Sequence, residues 1–188
     1  MKKEPKNKRR TETVSIEIPN GVTIEVIDKK VLVSGSKGKI ERTLLEYNVT
    51  ITKEENQIVL SAKNATKEEK RAMNTFRAHL KNMIRGVQEG FVYKLKICYS
   101  HFPINVSISG DGVIIKNFLG EKTPRKSKIL DGVKVEVNGD EVITSGINIE
   151  KVSQTAANLE TATRITNRDR RVFLDGIYIT EKAGVPIV

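Results

Sequence analysis

Clusters of lysine and arginine are the residues of this sequence whose spacing most clearly indicates a chemistry, the binding of an anionic partner. The densest cluster is RITNRDRR, where several arginines surround Asn167. Guanidinium groups match phosphate oxygens with paired hydrogen bonds, and asparagine suits ribose contact. The candidate anion-binding residues are Lys37, Lys39, Arg77, His79, Lys81, Arg85, Lys122, Arg125, Lys126, Lys128, Arg164, Arg168, Arg170 and Arg171.

These basic runs also have simpler interpretations, which the residues alone leave open. A single run of cations is more often a solvated face, and cations at the end of a helix are stabilised by its dipole. Two runs follow predicted hairpins, one at Lys37 and Lys39 and one over 122–128, at what the sequence indicates is the same place in a repeat. The turn 35–38 could offer backbone N–H groups to phosphate or simply end a strand.

Catalytic and metal-binding patterns are not found in the sequence. His79 and His101 lack the spacing of a metal site, and each is interpreted as a surface or phosphate-contacting histidine. The single cysteine, Cys98, lies in an apolar segment and is predicted to be a core residue. No GxSxG, GxGxxG or P-loop motif occurs. We therefore expect no enzymatic activity, no cofactor, no metal and no small-molecule substrate.

The charge is concentrated at the N-terminus. The chain has 188 residues and a net charge of +10, and residues 1–10 carry six basic side chains against one acidic side chain, which is half of that net charge. We expect a flexible basic arm over 1–12 that neutralises phosphates, although a solubility tail or a nuclear import signal has the same composition. No long apolar run is present, so we expect neither a membrane span nor a secretory signal.

The chain repeats itself after about 82 residues. Residues 22–38 and 104–120 both alternate apolar and polar positions around a turn, so that Val31 aligns with Val113. Each copy continues with two more strands and one helix, predicted at 64–86 and 148–165. Thr66 and Glu69 form a capping box for the first helix, and Gly86 is expected to end it.

This pattern predicts an α+β fold with two tandem duplicated domains, each a small antiparallel sheet with one helix packed on one face. The first domain is placed at 13–88, the second at 89–182, and a tail at 183–188. A strand is predicted at 91–99 and another at 176–180. Two similar faces held close together suit a binding scaffold.

Three separated blocks carry a family resemblance: FRAHLKNMIRGVQEGFVYKLKICYSHFPINV at 76–106, NFLGEKTPRKSKILDGVKV at 117–135 and RDRRVFLDGIYI at 168–179. In this order, around an internal duplication, they closely resemble the large-subunit ribosomal protein L-six family in its archaeal and eukaryotic branch, whose eukaryotic member is also called L-nine. The resemblance covers roughly 13–182. The arm at 1–12 departs from most of the family in its length and basicity.

The resemblance implies two tandem α+β domains and a structural role in the large ribosomal subunit. It implies binding to large-subunit rRNA near the sarcin–ricin loop and the stalk base, mainly through the C-terminal domain. Neighbouring ribosomal proteins and nearby translation factors are the other implied partners. The implied location is the ribosome in the cytoplasm, with nucleolar assembly in a eukaryote.

Without the resemblance, two other functions would stand beside this one. A non-ribosomal regulator would bind simple nucleic acid, but the low aromatic content disfavours a single-strand stacking platform. A small enzyme would need a deep apolar pocket with a perturbed acid or base.

Overall fold

The computed structural model describes residues 11–27, 30–44, 48–54, 56–63, 65–169 and 171–187. The chain forms two compact units, which we call the N-terminal module (1–89) and the C-terminal module (90–188). Residues 1–10 of the predicted basic arm and Arg170 lie outside the described residues.

The described part of the N-terminal module contains six strands and one helix. Its elements are β1 (Glu12–Glu17), β2 (Thr23–Ile27), β3 (Lys30–Gly35), β4 (Gly38–Thr43), β5 (Val49–Glu54), β6 (Gln57–Ala62) and α1 (Lys67–Gln88). The strands form two antiparallel sheets, with the orders β1-β6-β5 and β2-β3-β4. Helix α1 packs against strands of both sheets, so its apolar side is buried between the two groups of strands.

The predicted capping box begins α1. The Thr66 side chain accepts a hydrogen bond from the Glu68 N–H, and the Glu69 carboxylate accepts one from the Thr66 N–H at 2.9 Å. Apolar side chains that recur every three or four residues along α1, among them Phe76, Leu80 and Val87, are buried. The predicted end of the helix at Gly86 is wrong, because α1 continues through a buried Gly86 to Gln88. Gly90 instead adopts the positive φ, 75°, that follows the helix.

The last turn of α1 rests on the hairpin between β3 and β4. Gly35 lies so close to Val87 that a Cβ at this position would be 2.8 Å from its side chain. The Lys37 N–H donates to the Val87 carbonyl at 3.0 Å, which satisfies one of the carbonyls that every helix leaves open at its end. The turn 35–38 therefore directs this N–H group to the helix end, and a glycine is needed there because the two backbones approach closely.

In the C-terminal module, the described residues form eight strands, one helix and a short 3₁₀ turn. Its elements are β7 (Phe91–Cys98), β8 (Asn105–Ser109), β9 (Gly112–Lys116), the 3₁₀ turn (Phe118–Gly120), β10 (Arg125–Lys128), β11 (Val133–Asn138), β12 (Glu141–Gly146), α2 (Ile149–Ala162), β13 (Gly176–Lys182) and β14 (Val185–Pro186). One sheet has the order β10-β9-β8, and the other has the order β11-β12-β7-β13-β14. Every paired strand is antiparallel.

The core of the C-terminal module joins both sheets to α2. Leu95, Ile115, Leu159 and Ile177 are fully buried within one hydrophobic cluster, and each comes from a different element. Alternation along the strands places these side chains on the inner faces and leaves polar residues outside. The predicted fold class, α+β with a duplicated unit of antiparallel strands and one helix, is confirmed, and each unit divides its strands between two sheets.

Candidate nucleic-acid interface

The outer face of the sheet β10-β9-β8 carries three exposed lysines. Lys126 and Lys128 alternate with the buried Ser127 on β10, and Lys116 follows the buried Ile115 on β9, so all three point away from the core. The register pairs Lys126 with Ile114, Lys128 with Gly112, and Lys116 with Asn105. The three lysines form no ion pair with any residue that the structure describes. We call this surface the lysine face.

The duplicated sheet of the N-terminal module has a different charge at the same place. The repeat aligns Leu32 with Ile114, and the residue paired with Leu32 on β4 is Glu41, whereas the residue paired with Ile114 is Lys126. Glu25 pairs with Leu32 from the other side, at the position that Ser107 has beside Ile114. The outer face of the first sheet is therefore of mixed charge, and that of the second carries only positive charge.

Both basic runs begin in the connection between the second and third strands of a three-stranded sheet, but the two connections differ in length. In the N-terminal module, β3 and β4 are joined by a tight turn between Gly35 and Gly38, and Lys39 lies on β4 itself. In the C-terminal module, residues 117–124 are inserted between the equivalent strands, and Lys122 lies exposed in this insertion. Because the connections differ in length, Lys39 and the lysines of β10 are not structural equivalents.

Arg125 holds the insertion against the end of α2. Its Nε and Nη2 donate to the two carboxylate oxygens of Glu121 at 2.8 and 2.6 Å, and Nη1 donates to the carbonyls of Ala162 and Arg164 at 2.9 and 3.3 Å. The guanidinium also lies 4.2 Å from the centre of the Phe118 ring. With so many donors engaged within the module, Arg125 caps the helix, and we interpret it as a positioning residue for the basic loops.

The Glu121 carboxylate sits among cations, which lowers its pKa. The hydrogen bonds from Arg125 are the main cause, opposed by partial burial, and the charges of Arg125 and Arg168 lower the pKa further. Arg168 therefore lies near enough to Glu121 to act on it. The insertion and the loop after α2 thus bring Arg125, Arg164 and Arg168 into one neighbourhood.

Among its described residues, the loop after α2 presents three exposed arginines, Arg164, Arg168 and Arg171, and we call it the arginine loop. Arg168 lies over the Phe173 ring at 4.9 Å. Arg171 donates to the Asp169 carboxylate at 3.2 and 3.0 Å, and these hydrogen bonds lower the pKa of Asp169. The Val172 and Phe173 N–H groups both donate to the Asp169 carbonyl, so the loop has a defined turn.

The cations of α1 divide between two sides of the helix. Arg77, Lys81 and Arg85 are exposed at steps of four, and Arg85 pairs with Glu89 at 3.0 Å. His79 lies on a different side of the helix from Arg77 and Lys81, because two residues correspond to about 200° of rotation around a helix. His79 is half-buried and lines a cavity of about 490 Å³ together with Arg42 and Arg71.

The other residues weighed for chemistry have ordinary surroundings. Cys98 is half-buried at the end of β7, and so it is less enclosed than a core cysteine. His101 packs edge to face on Phe102 with ring centres 4.7 Å apart. Within the described ranges, no three His, Cys, Asp or Glu side chains come together as a metal site. No described helix combines the length and apolar character required to cross a bilayer.

Sequence reasoning missed Lys116. The sequence offered one signal, the alternation along β9. Val113 and Ile115 point into the core, so Lys116 lies on the outer face. Only the register shows that this face also carries the lysines of β10.

Comparison with known proteins agrees with this duplicated architecture. The family model for ribosomal protein L6 matches twice, at residues 18–90 and 102–176. The large ribosomal subunit protein uL6 of Aeropyrum pernix is 50% identical over 168 residues, covering 89% of this chain and 92% of the relative. The uL6 of Methanococcus vannielii is 49% identical over 169 residues, covering 90% and 93%. That of Ignicoccus hospitalis is 50% identical, covering 87% and 91%.

Both the family model and these relatives extend across the two modules, as the resemblance of the three sequence blocks had predicted. Membership of a ribosomal protein family also removes the regulator and the enzyme as alternatives. The chain therefore belongs to the ribosomal protein L6 family, in its archaeal and eukaryotic branch, as a large-subunit ribosomal protein and not an enzyme.

Proposed function

We propose that this protein binds large-subunit rRNA mainly through its C-terminal module, near the sarcin–ricin loop and the stalk base, where translation GTPases dock. The observation that carries the proposal is the lysine face, because Lys116, Lys126 and Lys128 share one outer sheet surface without a neighbouring acid on its three strands. The arginine loop adds further cations. In this role the protein fixes the shape of an RNA region.

The spacing of the lysine face suits a phosphate backbone. Residues two apart on a strand are separated by about 6.8 Å, and neighbouring strands by about 4.8 Å. A rigid sheet thus holds three ammonium groups within reach of adjacent phosphates, and each contact releases condensed counterions. Such contacts recognise folded RNA by the shape of its backbone, with little reading of base edges.

The N-terminal module and the basic arm have supporting roles in this proposal. Arg77, Lys81 and Arg85 on α1, and Lys37 and Lys39 near the first hairpin, offer exposed cations to rRNA or to neighbouring ribosomal proteins. The arm at 1–12 adds six basic side chains for phosphate contact. The site of action is the ribosome in the cytoplasm, with assembly in the nucleolus in a eukaryote.

Chemical footprinting tests the location. Large subunits are stripped of this protein, rebuilt with or without it, and probed with hydroxyl radicals along the rRNA backbone. The proposal predicts new protection at the sarcin–ricin loop region and at the stalk base. Protection confined to distant helices would contradict the location, and the absence of any protection would contradict rRNA binding itself.

A further inference from the structure

A pocket at the end of β7 has both apolar and cationic walls. It has a volume of about 670 Å³ and is lined by Cys98, Tyr99, Ser100, Arg171, Leu174 and Tyr178. Tyr99 is 44% exposed and Leu174 is 58% exposed, so two large side chains with apolar surface face solvent at this one site. None of the described residues that line the pocket is acidic.

Hydrogen bonds hold the walls of this pocket in place. The buried Asp175 accepts a hydrogen bond from the Ser100 N–H at 2.8 Å, and the Tyr178 hydroxyl donates to the Asp175 carbonyl at 3.3 Å. The Ile177 N–H donates to the Thr163 hydroxyl at 2.9 Å, which ties β13 to the end of α2. The pocket is therefore preformed, and a ligand would not have to order it.

The cationic wall comes from Arg171. Its side chain is 90% exposed, and Asp169 accepts hydrogen bonds from its Nε and Nη2. Its Nη1 makes no hydrogen bond to the residues that the structure describes, so a donor remains for an anion. An apolar side chain of a partner protein would contact Tyr99 and Leu174 but would give Arg171 no anion to bind. A nucleotide would place its base against Tyr99 and Leu174 and its phosphate against Arg171.

We propose that this pocket receives one unstacked nucleobase of the rRNA, which stacks on Tyr99 while its phosphate contacts Arg171. The inference rests on the proposed function and adds a base contact to a surface otherwise built for phosphates. Sequence-specific RNA recognition uses unstacked bases on aromatic side chains, and the pocket volume lies in the range of small-ligand sites.

The test measures the affinity of the full-length protein for deproteinised large-subunit rRNA at several salt concentrations. We expect Tyr99→Ala to weaken binding about 5- to 150-fold, while Tyr99→Phe, which keeps the ring, stays within about twofold of the unaltered protein. Because stacking releases few counterions, the dependence on salt should not change. Leu174→Glu, at an exposed position, should also weaken binding by placing a carboxylate near the phosphate.

Ile27→Ser is the matched control, since Ile27 is an exposed apolar side chain (62%) of the N-terminal module. Circular dichroism verifies that each variant is folded. Ultraviolet crosslinking of the unaltered protein should join a nucleotide to Tyr99 or Tyr178.

Three results would overturn the inference. If the unaltered protein binds tightly but Tyr99→Ala and Leu174→Glu bind equally well, the pocket holds no base, although the proposed function survives. If those variants bind rRNA normally but fail to enter subunits, the occupant is a protein. If the unaltered protein prefers rRNA no more than a simple duplex, both the inference and the proposed function fail.

Discussion

Lys126 and Glu41 occupy equivalent positions in the two modules. Each lies on the outer face of the last strand of a three-stranded sheet, Lys126 beside Ile114 and Glu41 beside Leu32. The paired residues, Ile114 and Leu32, are both aliphatic. The residues before and after each of them are buried by the same alternation. The charge at the equivalent position differs between the two copies. The duplication therefore provides two similar sheets, and only the sheet of the C-terminal module has an outer face whose charged residues are all cationic.

Removal of Arg125 should destabilise the C-terminal module. Arg125→Ala leaves the Glu121 carboxylate and two carbonyls at the end of α2 without their donors, and we expect a loss of about 1–3 kcal/mol in the free energy of unfolding. Arg125→Lys should recover only part of this, because an ammonium cannot reproduce the planar set of donors. Urea unfolding followed through amide signals of the C-terminal module measures the change. Lys122→Ala, at an exposed neighbouring position, should stay within about 0.5 kcal/mol, and an equal loss there would contradict the capping role.

Gly35→Ala should destabilise the N-terminal module. The added methyl group would lie 2.8 Å from the Val87 side chain, so either β3 or the end of α1 must shift. Overpacking of this kind costs about 1–3 kcal/mol. Thermal unfolding should reveal the loss, with Lys37→Ala as the control, because the Lys37 side chain is exposed in the same turn. A Gly35→Ala variant as stable as the unaltered protein would show that the two segments separate easily.

The interactions of Glu121 should make the C-terminal module sensitive to acid. Arg125 lowers the pKa of Glu121 below its ordinary value of 4.5, so the folded state holds the ionised form more strongly than the unfolded state. This contribution to the stability of the folded state is fully present above pH 4.5. It is lost as the pH falls through the lower pKa that Glu121 has in the folded state. Glu121→Gln should therefore lose less stability than the unaltered protein between pH 7 and pH 3. Equal losses in the two proteins would show that Glu121 contributes nothing to acid unfolding.

Local patterns in the sequence were sufficient for α1, β7 and the hairpins. The capping box at Thr66 and Glu69 needs only its own residues, and alternation with apolar side chains identifies a strand such as β7. Strand β10 escaped prediction because its inward positions are Arg125 and Ser127, so no apolar alternation marks it. The end of α1 was wrongly predicted at Gly86, because a glycine can either end a helix or be buried within it. Packing against the rest of the module decides between the two.

Less of the candidate site than of the fold could be predicted from the sequence, because the roles of its residues depend on strand register and on long-range hydrogen bonds. The sequence shows that Arg125 is basic but does not show that it bonds to the carbonyl of Ala162, 37 residues away. The lysine face requires β9 and β10 to be paired in one register, which brings Lys116 onto the surface of Lys126. The sequence identified the candidate residues of both modules because they are basic. Only their contacts in the structure distinguish a residue that holds the fold, such as Arg125, from one that faces solvent, such as Lys126.

The most direct test of the central claim is the salt dependence of rRNA binding by two triple variants. One replaces Lys116, Lys126 and Lys128 of the lysine face with alanine, and the matched control replaces Lys53, Lys63 and Lys67, which are exposed lysines of the N-terminal module outside the proposed contacts. If the lysine face contacts phosphates, its variant should bind more weakly and the slope of log K against log salt should fall in magnitude by about 2–3, at about 0.7–0.9 per lost contact. The control should change the slope by less than about 1. Equal slopes for the lysine-face variant and the unaltered protein, or a larger change in the control, would contradict the account.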